Sequence, residues 1–167
     1  MSYRNKTYVI FDGDDIHNYR LMLAWTENAH IDFNFHDAHE VRAIRSFSEE
    51  EAVKRGLRER FQTAKQAVLL VGEHTRYLYK YVRWEIEVAQ ELELPIIVAN
   101  LNGKRSCDFD LCPPLMREYL AIHVSFQPKI IQHALDNFPS WFYQNKNNSN
   151  EGKIRYYNEN TYASLGL

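Results

Sequence analysis

Two apolar runs constrain this chain more than any other feature. Ala67 to Val71 is apolar without interruption, and Pro95 opens a second run, Ile96-Ile97-Val98-Ala99-Asn100-Leu101. Short runs of this kind read as strands buried on both faces of a parallel sheet. The segments around them alternate strand and helix patterns, the signature of βαβ units. Tyr8-Val9-Ile10-Phe11 is the first strand, and it ends at the acidic turn Asp12-Gly13-Asp14-Asp15. Asp14 or Asp15 can cap the next helix, whose apolar stripe includes Tyr19, Leu23 and Trp25. Ile31 to Phe35 alternates in polarity, as an edge strand would. Residues 36 to 48 show no period and read as a loop. Ser48 followed by Glu49, Glu50 and Glu51 is a capping box that opens a helix reaching about Thr63.

Gly72 closes the third strand, and a third helix runs from Leu78 to Leu92. Asn102-Gly103 is a turn, and the loop around Pro113-Pro114 has room for one short helix. Leu120 to Phe126 reads as the last strand and Pro128 to Tyr143 as the last helix. The polar stretch after Gln144 reads as a mobile excursion that returns through Ile154, Tyr156 and Tyr157 to pack on the domain. The expected fold is α/β: a flavodoxin-like, doubly wound sheet of about five parallel strands with helices on both faces, core 7–143 and extension 144–167. Its ligand crevice should lie beyond the carboxyl ends of strands one and three, at residues 11 to 15 and 72 to 78.

Bulk properties fit one domain. The chain has 167 residues, 45% hydrophobic and 25% charged, an ordinary globular profile. A net charge of −2 argues against binding nucleic acid through a basic face. The cluster Lys54, Arg55, Arg58 and Arg60 reads as the solvated side of a helix. Cys107 and Cys112 are the two cysteines, a CxxxxC pair that implies no disulfide framework and is weak evidence for zinc. No metal is therefore expected, and the thiols should be reduced. No apolar run is long enough to cross a bilayer and no signal peptide is visible, so a cytoplasmic location is expected.

The third helix carries an acid on an apolar face. At about 100° per residue, Leu78, Val82, Ile86 and Ala89 cluster within roughly 80°. Tyr81, Val88 and Leu92 extend that arc, and Glu85 falls inside it. Glu87 falls on the opposite side with Lys80, Arg83 and Glu91, where it should be a solvated charge. A carboxylate out of water needs a partner, because desolvating an unpaired charge costs several kcal/mol. Glu85 either pairs with a core group, such as an arginine of the 42–45 loop, or lines the crevice and meets a substrate. Spacing alone leaves both readings open.

Five segments, Val9 to Asp15, Leu23 to Trp25, Phe33 to Asp37, Val71 to Thr75 and Tyr81 to Glu87, together resemble the bacterial TIR-like domains related to the ThsB proteins of Thoeris antiphage defence. Tyr81-Val82-Arg83-Trp84-Glu85-Ile86-Glu87 is similar to that family's W-V-x-W-E-I-E segment. In order along the chain, Val9-Ile10-Phe11-Asp12-Gly13-Asp14-Asp15 resembles S-F-D-Y-D, and Leu23-Ala24-Trp25 matches A-W. Phe33-Asn34-Phe35-His36-Asp37 matches F-x-F-x-D, and Val71-Gly72-Glu73-His74-Thr75 matches G-E-x-T. The resemblance covers residues 8 to about 103 and implies a TIR fold. Ile10 stands where the family has a serine, Gly13 replaces an aromatic, and Tyr81 replaces a tryptophan.

The resemblance also implies an activity. Catalytic TIR domains cleave the nicotinamide–ribose bond of NAD with a glutamate on the third helix, and Glu85 matches it. NAD would be the substrate, with no separate cofactor. A cyclic ADP-ribose isomer or an ADP-ribose conjugate would leave as a diffusible signal to a separate effector protein. The expected partners are that effector, further copies of the chain, or a phage-derived trigger, with no nucleic acid and no membrane. Candidate substrate contacts are Phe11, Tyr81 and Trp84 as stacking faces, and Asp12 and Asp14 on ribose hydroxyls. Arg45, Ser46 and Arg76 are candidates for the phosphates, and His74 is a further contact. Each has a plainer reading as core packing, turn capping or loop solvation. The alternative function is a non-catalytic TIR-like scaffold or protein-interaction module. A phosphoacceptor receiver has the same topology but needs an aspartate where Val71-Gly72-Glu73 stands. A nucleoside deoxyribosyltransferase would share the ribosyl chemistry.

Overall fold

The computed structural model describes residues 6–33, 36–37 and 50–167. One sheet runs through it in the order β2-β1-β3-β4-β5-β6, with every neighbouring pair parallel. Its strands are β1 (Lys6–Ile10), β2 (His36–Asp37), β3 (Gln66–Val71), β4 (Ile96–Asn100), β5 (Ala121–Ser125) and β6 (Ile154–Tyr156). β3 and β4 are buried at every position, as their unbroken apolar runs require. This is the expected flavodoxin-like α/β fold.

Strand alternation divides the core into two layers. Tyr8, Ile10, Leu69, Val71, Ile96 and Val98 face one way, against Val53, Leu57 and Phe61 of α2 (Glu50–Phe61) and Val82, Ile86 and Ala89 of α3 (Lys80–Glu91). Val9, Val68, Leu70, Ile97 and Val124 face the other way. They pack on Tyr19, Met22 and Trp25 of α1 (Ile16–Glu27) and on α4 (Pro128–Asn145). The strand order reverses between β1 and β3, so the crevice of a doubly wound sheet opens there.

The structure corrects four local expectations. The edge strand is His36–Asp37, paired with Lys6 and Thr7, and Ile31 to Phe33 precede it. The Asn28 carbonyl accepts from Ile31 N at 3.1 Å and its side chain accepts from His30 N at 2.9 Å, which turns the chain. Phe33 then seals the end of α1, edge-on to Trp25. Asp15 holds the N-cap position of α1, but its side chain makes no capping hydrogen bond. A 3-10 turn at Gly13–Asp15 runs straight into the helix, and Asp12 caps that turn by accepting from Asp14 N at 3.0 Å. α3 starts at Lys80 because Leu78 is left-handed (φ 51°), ending a separate 3-10 turn at Thr75–Tyr77. Ser48 and Glu49 of the expected capping box lie outside the described residues.

The fourth correction concerns the C-terminal extension, which is part of the core. β6 extends the sheet beyond β5, with Ile154 opposite Ala121 and Tyr156 opposite His123. α5 (Glu159–Ser164) then carries Tyr162 into the apolar layer that α1 and α4 cover. The Tyr162 ring is fully buried, its hydroxyl accepts from Ser125 N at 3.2 Å, and Arg105 lies over its face at 4.2 Å. Removing a buried aromatic leaves a cavity as well as losing burial. Tyr162→Ala should therefore lower the unfolding free energy by about 3–5 kcal/mol in urea denaturation. Tyr156→Ala, at a side chain 61% exposed, should change it by less than about 1 kcal/mol.

Candidate active site

At the carboxyl edge of the sheet, the turn after β1 meets the turn after β3. Gly72 leaves room for the Asp15 side chain, since a Cβ there would lie 2.4 Å from its carboxylate oxygen in this conformation. Thr75 locks the second turn, accepting from Gly72 N at 2.9 Å and donating to Leu70 O at 3.3 Å. His74 Nδ1 lies 2.6 Å from Asp14 Oδ2 across the gap. Burial, and next the charge of Asp12, push the Asp15 carboxyl above its usual pKa. A cleft of about 370 Å³ opens here, lined among others by Asp14, Asp15, Gly72, His74, Asn102 and Leu111. It sits where the strand order predicts a ligand crevice.

Glu85 occupies a different place. Its side chain projects from the middle of α3 into the layer between α2, α3 and β1, and the residue is 6% exposed. Tyr8 Oη, at the centre of β1, donates to Glu85 Oε1 at 3.2 Å. Burial drives the carboxyl pKa up from 4.5 to about 8, against weaker opposing effects of the Tyr8 hydrogen bond and the Arg60 charge. Glu85 is therefore mostly protonated at neutral pH. Glu87 diverges from it as the helical phase required, but it is not a free charge. It bridges Lys54 of α2 at 2.8 Å and Arg83 at 2.9 Å. Burial raises its pKa, but these two hydrogen bonds outweigh that and leave it lowered. Arg58 adds a second α2–α3 link to Glu91 at 3.1 Å, so part of the expected solvated basic face is a helix–helix seam.

The other candidate residues separate into groups. Asp12, Asp14 and His74 come together at the carboxyl edge, with donor atoms within 4.8 Å of one another. Tyr81 and Trp84 share α3 with Glu85, meet edge-on at 5.7 Å, and pack on the core. Phe11 stacks on Tyr19 at 4.8 Å, on the α1 side of the sheet and away from Glu85. Arg76 is exposed, donates to Asp110 O at 3.2 Å and lies over Tyr77. Arg45 and Ser46 lie outside the described residues. Asp14, Asp15, Gly72, Glu73 and His74 fall in the crevice loops expected from the sequence, whereas His17, Asn18, Leu101, Asn102 and Leu111 were missed as cleft residues. Gly72, directly after a buried strand, was the available signal for Asp15, because a glycine there permits close approach.

Residues 2–106 match the family described as Thoeris protein ThsB, TIR-like domain. The match spans more than half of the chain. The chain belongs to the Thoeris ThsB TIR-like family. A comparison with curated proteins finds no match. Ile10, at the family's serine position, is a fully buried core side chain of β1. Gly13 faces open space, with nothing within 4 Å of the position its Cβ would take. No helix among the described residues is long and apolar enough to cross a membrane. Beyond the matched segment, Cys107, Cys112 and His123 form a second group of potential ligand atoms within 4.8 Å of one another, all three residues buried.

The position of Glu85 sets a pH dependence of stability. An acid with a higher pKa folded than unfolded binds more protons in the folded state. Its favourable contribution is complete below pH 4.5 and is lost as the pH rises through about 8. Glu85→Gln keeps the shape and removes the titration. Above pH 8 the variant should exceed the wild type in stability by on the order of a few kcal/mol relative to their difference at pH 4.5. Urea unfolding at a series of pH values reads this directly, and parallel curves for the two proteins would refute it.

Proposed function

We propose that this protein cleaves the nicotinamide–ribose bond of NAD in antiphage defence, with Glu85 as the residue that meets the ribose. The observation that carries the reading is a desolvated carboxyl on an otherwise apolar helix face; the resemblance of Trp84-Glu85-Ile86-Glu87 to the family's W-E-I-E segment supports it.

The chemistry suits such a group. As the C1′–N bond breaks, its electron pair goes to the pyridinium nitrogen, so nicotinamide leaves neutral and needs no acid to protonate it. Positive charge develops on C1′ and the ribose ring oxygen, as in glycoside hydrolysis. A carboxylate beside that charge, out of water, stabilises it far more than a solvated one would. In the resting protein Glu85 is mostly protonated, and a cation within ~4–6 Å lowers a carboxyl pKa by ~1–3 units. The pyridinium of bound NAD would thus ionise Glu85 when the charge is needed. Attack on C1′ by water gives ADP-ribose and one proton. Attack by a nucleophile within the same molecule gives a cyclic isomer, and attack by another acceptor gives a conjugate. The cyclic isomer or the conjugate is the product proposed to act as a signal to a separate effector.

A second reading, a non-catalytic interaction module, draws on the same residue. Glu85 is hydrogen-bonded by Tyr8 and is not among the residues lining the carboxyl-edge cleft. In that reading it is a neutral structural carboxyl. Nicotinamide release from NAD by the full-length protein, with and without lysate from phage-infected cells, separates the two. Glu85→Gln should lower release by ~100-fold or more, and Glu87→Gln should match the wild type. The ascending limb of kcat/KM against pH should fall near 8, where the free enzyme's Glu85 ionises. Release unchanged in Glu85→Gln would remove the residue from the chemistry. No release in any condition, from a wild type whose stability shows the Glu85 titration, would favour the interaction module.

A further inference from the structure

We infer that Cys107, Cys112 and His123 form a binding site for a thiophilic transition-metal ion, with zinc as the ion that fits best. The donors come from two parts of the fold, the loop after β4 and the middle of β5. Their Sγ, Sγ and ring nitrogen atoms lie within 4.8 Å of one another. Around a tetrahedral zinc, with Zn–S near 2.3 Å and Zn–N near 2.0 Å, such atoms would sit about 3.5–3.8 Å apart. The spacing here is thus at most about 1.0–1.3 Å too wide.

The loop is held in shape to present both sulfurs together. Asp108 Oδ1 accepts from Asp110 N and Leu111 N, each at 3.0 Å, and its Oδ2 accepts from Asn102 at 2.9 Å. Cys112 N donates to Asp108 O at 2.8 Å, closing the turn between the cysteines. Asn100, at the end of β4, donates to Lys104 O and Ser106 O and ties the loop to the sheet. Alternation along β5 puts His123 on the same face as Ala121, the α2–α3 layer that also holds both cysteines.

His123 supplies the second, independent observation. It is 1% exposed, and among the described residues neither ring nitrogen has a hydrogen-bond partner. Buried imidazoles without a partner are rare, and each requires an explanation. A metal bond to one nitrogen provides one. Net charge also favours the ion: Zn²⁺, two thiolates and a neutral imidazole sum to zero, the least costly state for a buried site. As the two S–Zn bonds form, two thiol protons pass to solvent, so the balance needs no oxidant or reductant. The ion would staple the loop between β4 and β5 to the sheet, and Zn²⁺ with three protein ligands keeps a fourth position for water.

Cobalt(II) is the spectroscopic probe for this site. The full-length protein, reduced and stripped with a chelator, is titrated with Co²⁺ alone. A thiolate-to-cobalt charge-transfer band saturating at one ion per chain is expected, and added Zn²⁺ should abolish it. Zn²⁺ should also protect both thiols from a thiol reagent. At a hundredfold excess over its Kd it should raise Tm by roughly 5–10 °C. Cys107→Ser and His123→Gln, checked for folding by circular dichroism, should each weaken the band by tenfold or more. Because the wild-type spectrum is decisive by itself, a variant that fails to fold leaves the test intact. Absence of a charge-transfer band would overturn the proposal, including the case where Co²⁺ binds only oxygen and imidazole donors such as Asp12, Asp14 and His74. Thiols that react at the same rate with and without Zn²⁺ would overturn it too.

Discussion

A parallel sheet has to be covered on both faces, and the other features of this molecule answer to that requirement. β3 and β4 contribute buried side chains to both layers, so each layer excludes water along the length of the sheet. A polar group in either layer then meets a medium in which its charged form is costly. Glu85 and His123 are both in the α2–α3 layer, and burial moves them in opposite directions. The carboxyl rises to about 8 and the imidazole falls to about 4, so each stays neutral near pH 7. The same desolvation raises the Cys112 thiol to about 12. The layer suppresses charge by default, and charge can enter only with a compensating partner. For Glu85 the proposed partner is a cationic substrate, and for the Cys107–Cys112–His123 group it is a metal ion.

How much of this could be read in the sequence depended on whether a feature is local. The central strands were legible because burial on both faces leaves an uninterrupted apolar run. Glu85 was legible because a helix has a phase, and an acid in an apolar arc is visible without knowing the fold. β2 was placed too early because the pattern of Ile31 to Phe35 resembles a strand. A turn at Asn28 instead sends Phe33 against Trp25. β6 was not legible, since three residues in a polar tail become a strand only by pairing with β5. The left-handed Leu78 carries no glycine or asparagine signal, so the start of α3 was set two residues early.

The site was legible only in part for the same reason. Glu85 could be named from phase and resemblance and the crevice loops from topology, whereas the cleft's further lining at His17, Asn18 and Asn102 lies outside those loops. Gly72 leaves the room that the Asp15 carboxylate occupies, a pairing of residues 57 positions apart whose only local hint is a glycine after a buried strand. The metal group illustrates both sides. The cysteine pair was visible and set aside for want of further ligands. Its third member stood in plain view as a histidine in an apolar strand, on the same side of the strand as Ala121.

The separation of Glu85 from the carboxyl-edge cleft bears on how the family's chemistry would work here. Tyr8 and Ile10 lie on one face of β1, and Ile10 fills with hydrocarbon a position where the family carries a hydroxyl. Between the buried carboxyl and the edge turn, β1 therefore offers no polar side chain on that face to a ribose or phosphate. A dinucleotide in the cleft beside Asp14 and His74 would be held at its polar groups, yet its ribose could reach Glu85 only if the α2–α3 layer opened. That layer is pinned by Lys54–Glu87 and Arg58–Glu91. Arg58–Glu91 is well exposed and worth under ~1 kcal/mol, whereas Lys54–Glu87, with side chains 13% and 26% exposed, is a partly buried pin. Opening the seam is opposed by that pair and by burial of Val53, Leu57, Val82 and Ile86. On the proposed reading, the neutral resting carboxyl and its closed surroundings would act together, keeping Glu85 uncharged until a cation reaches it.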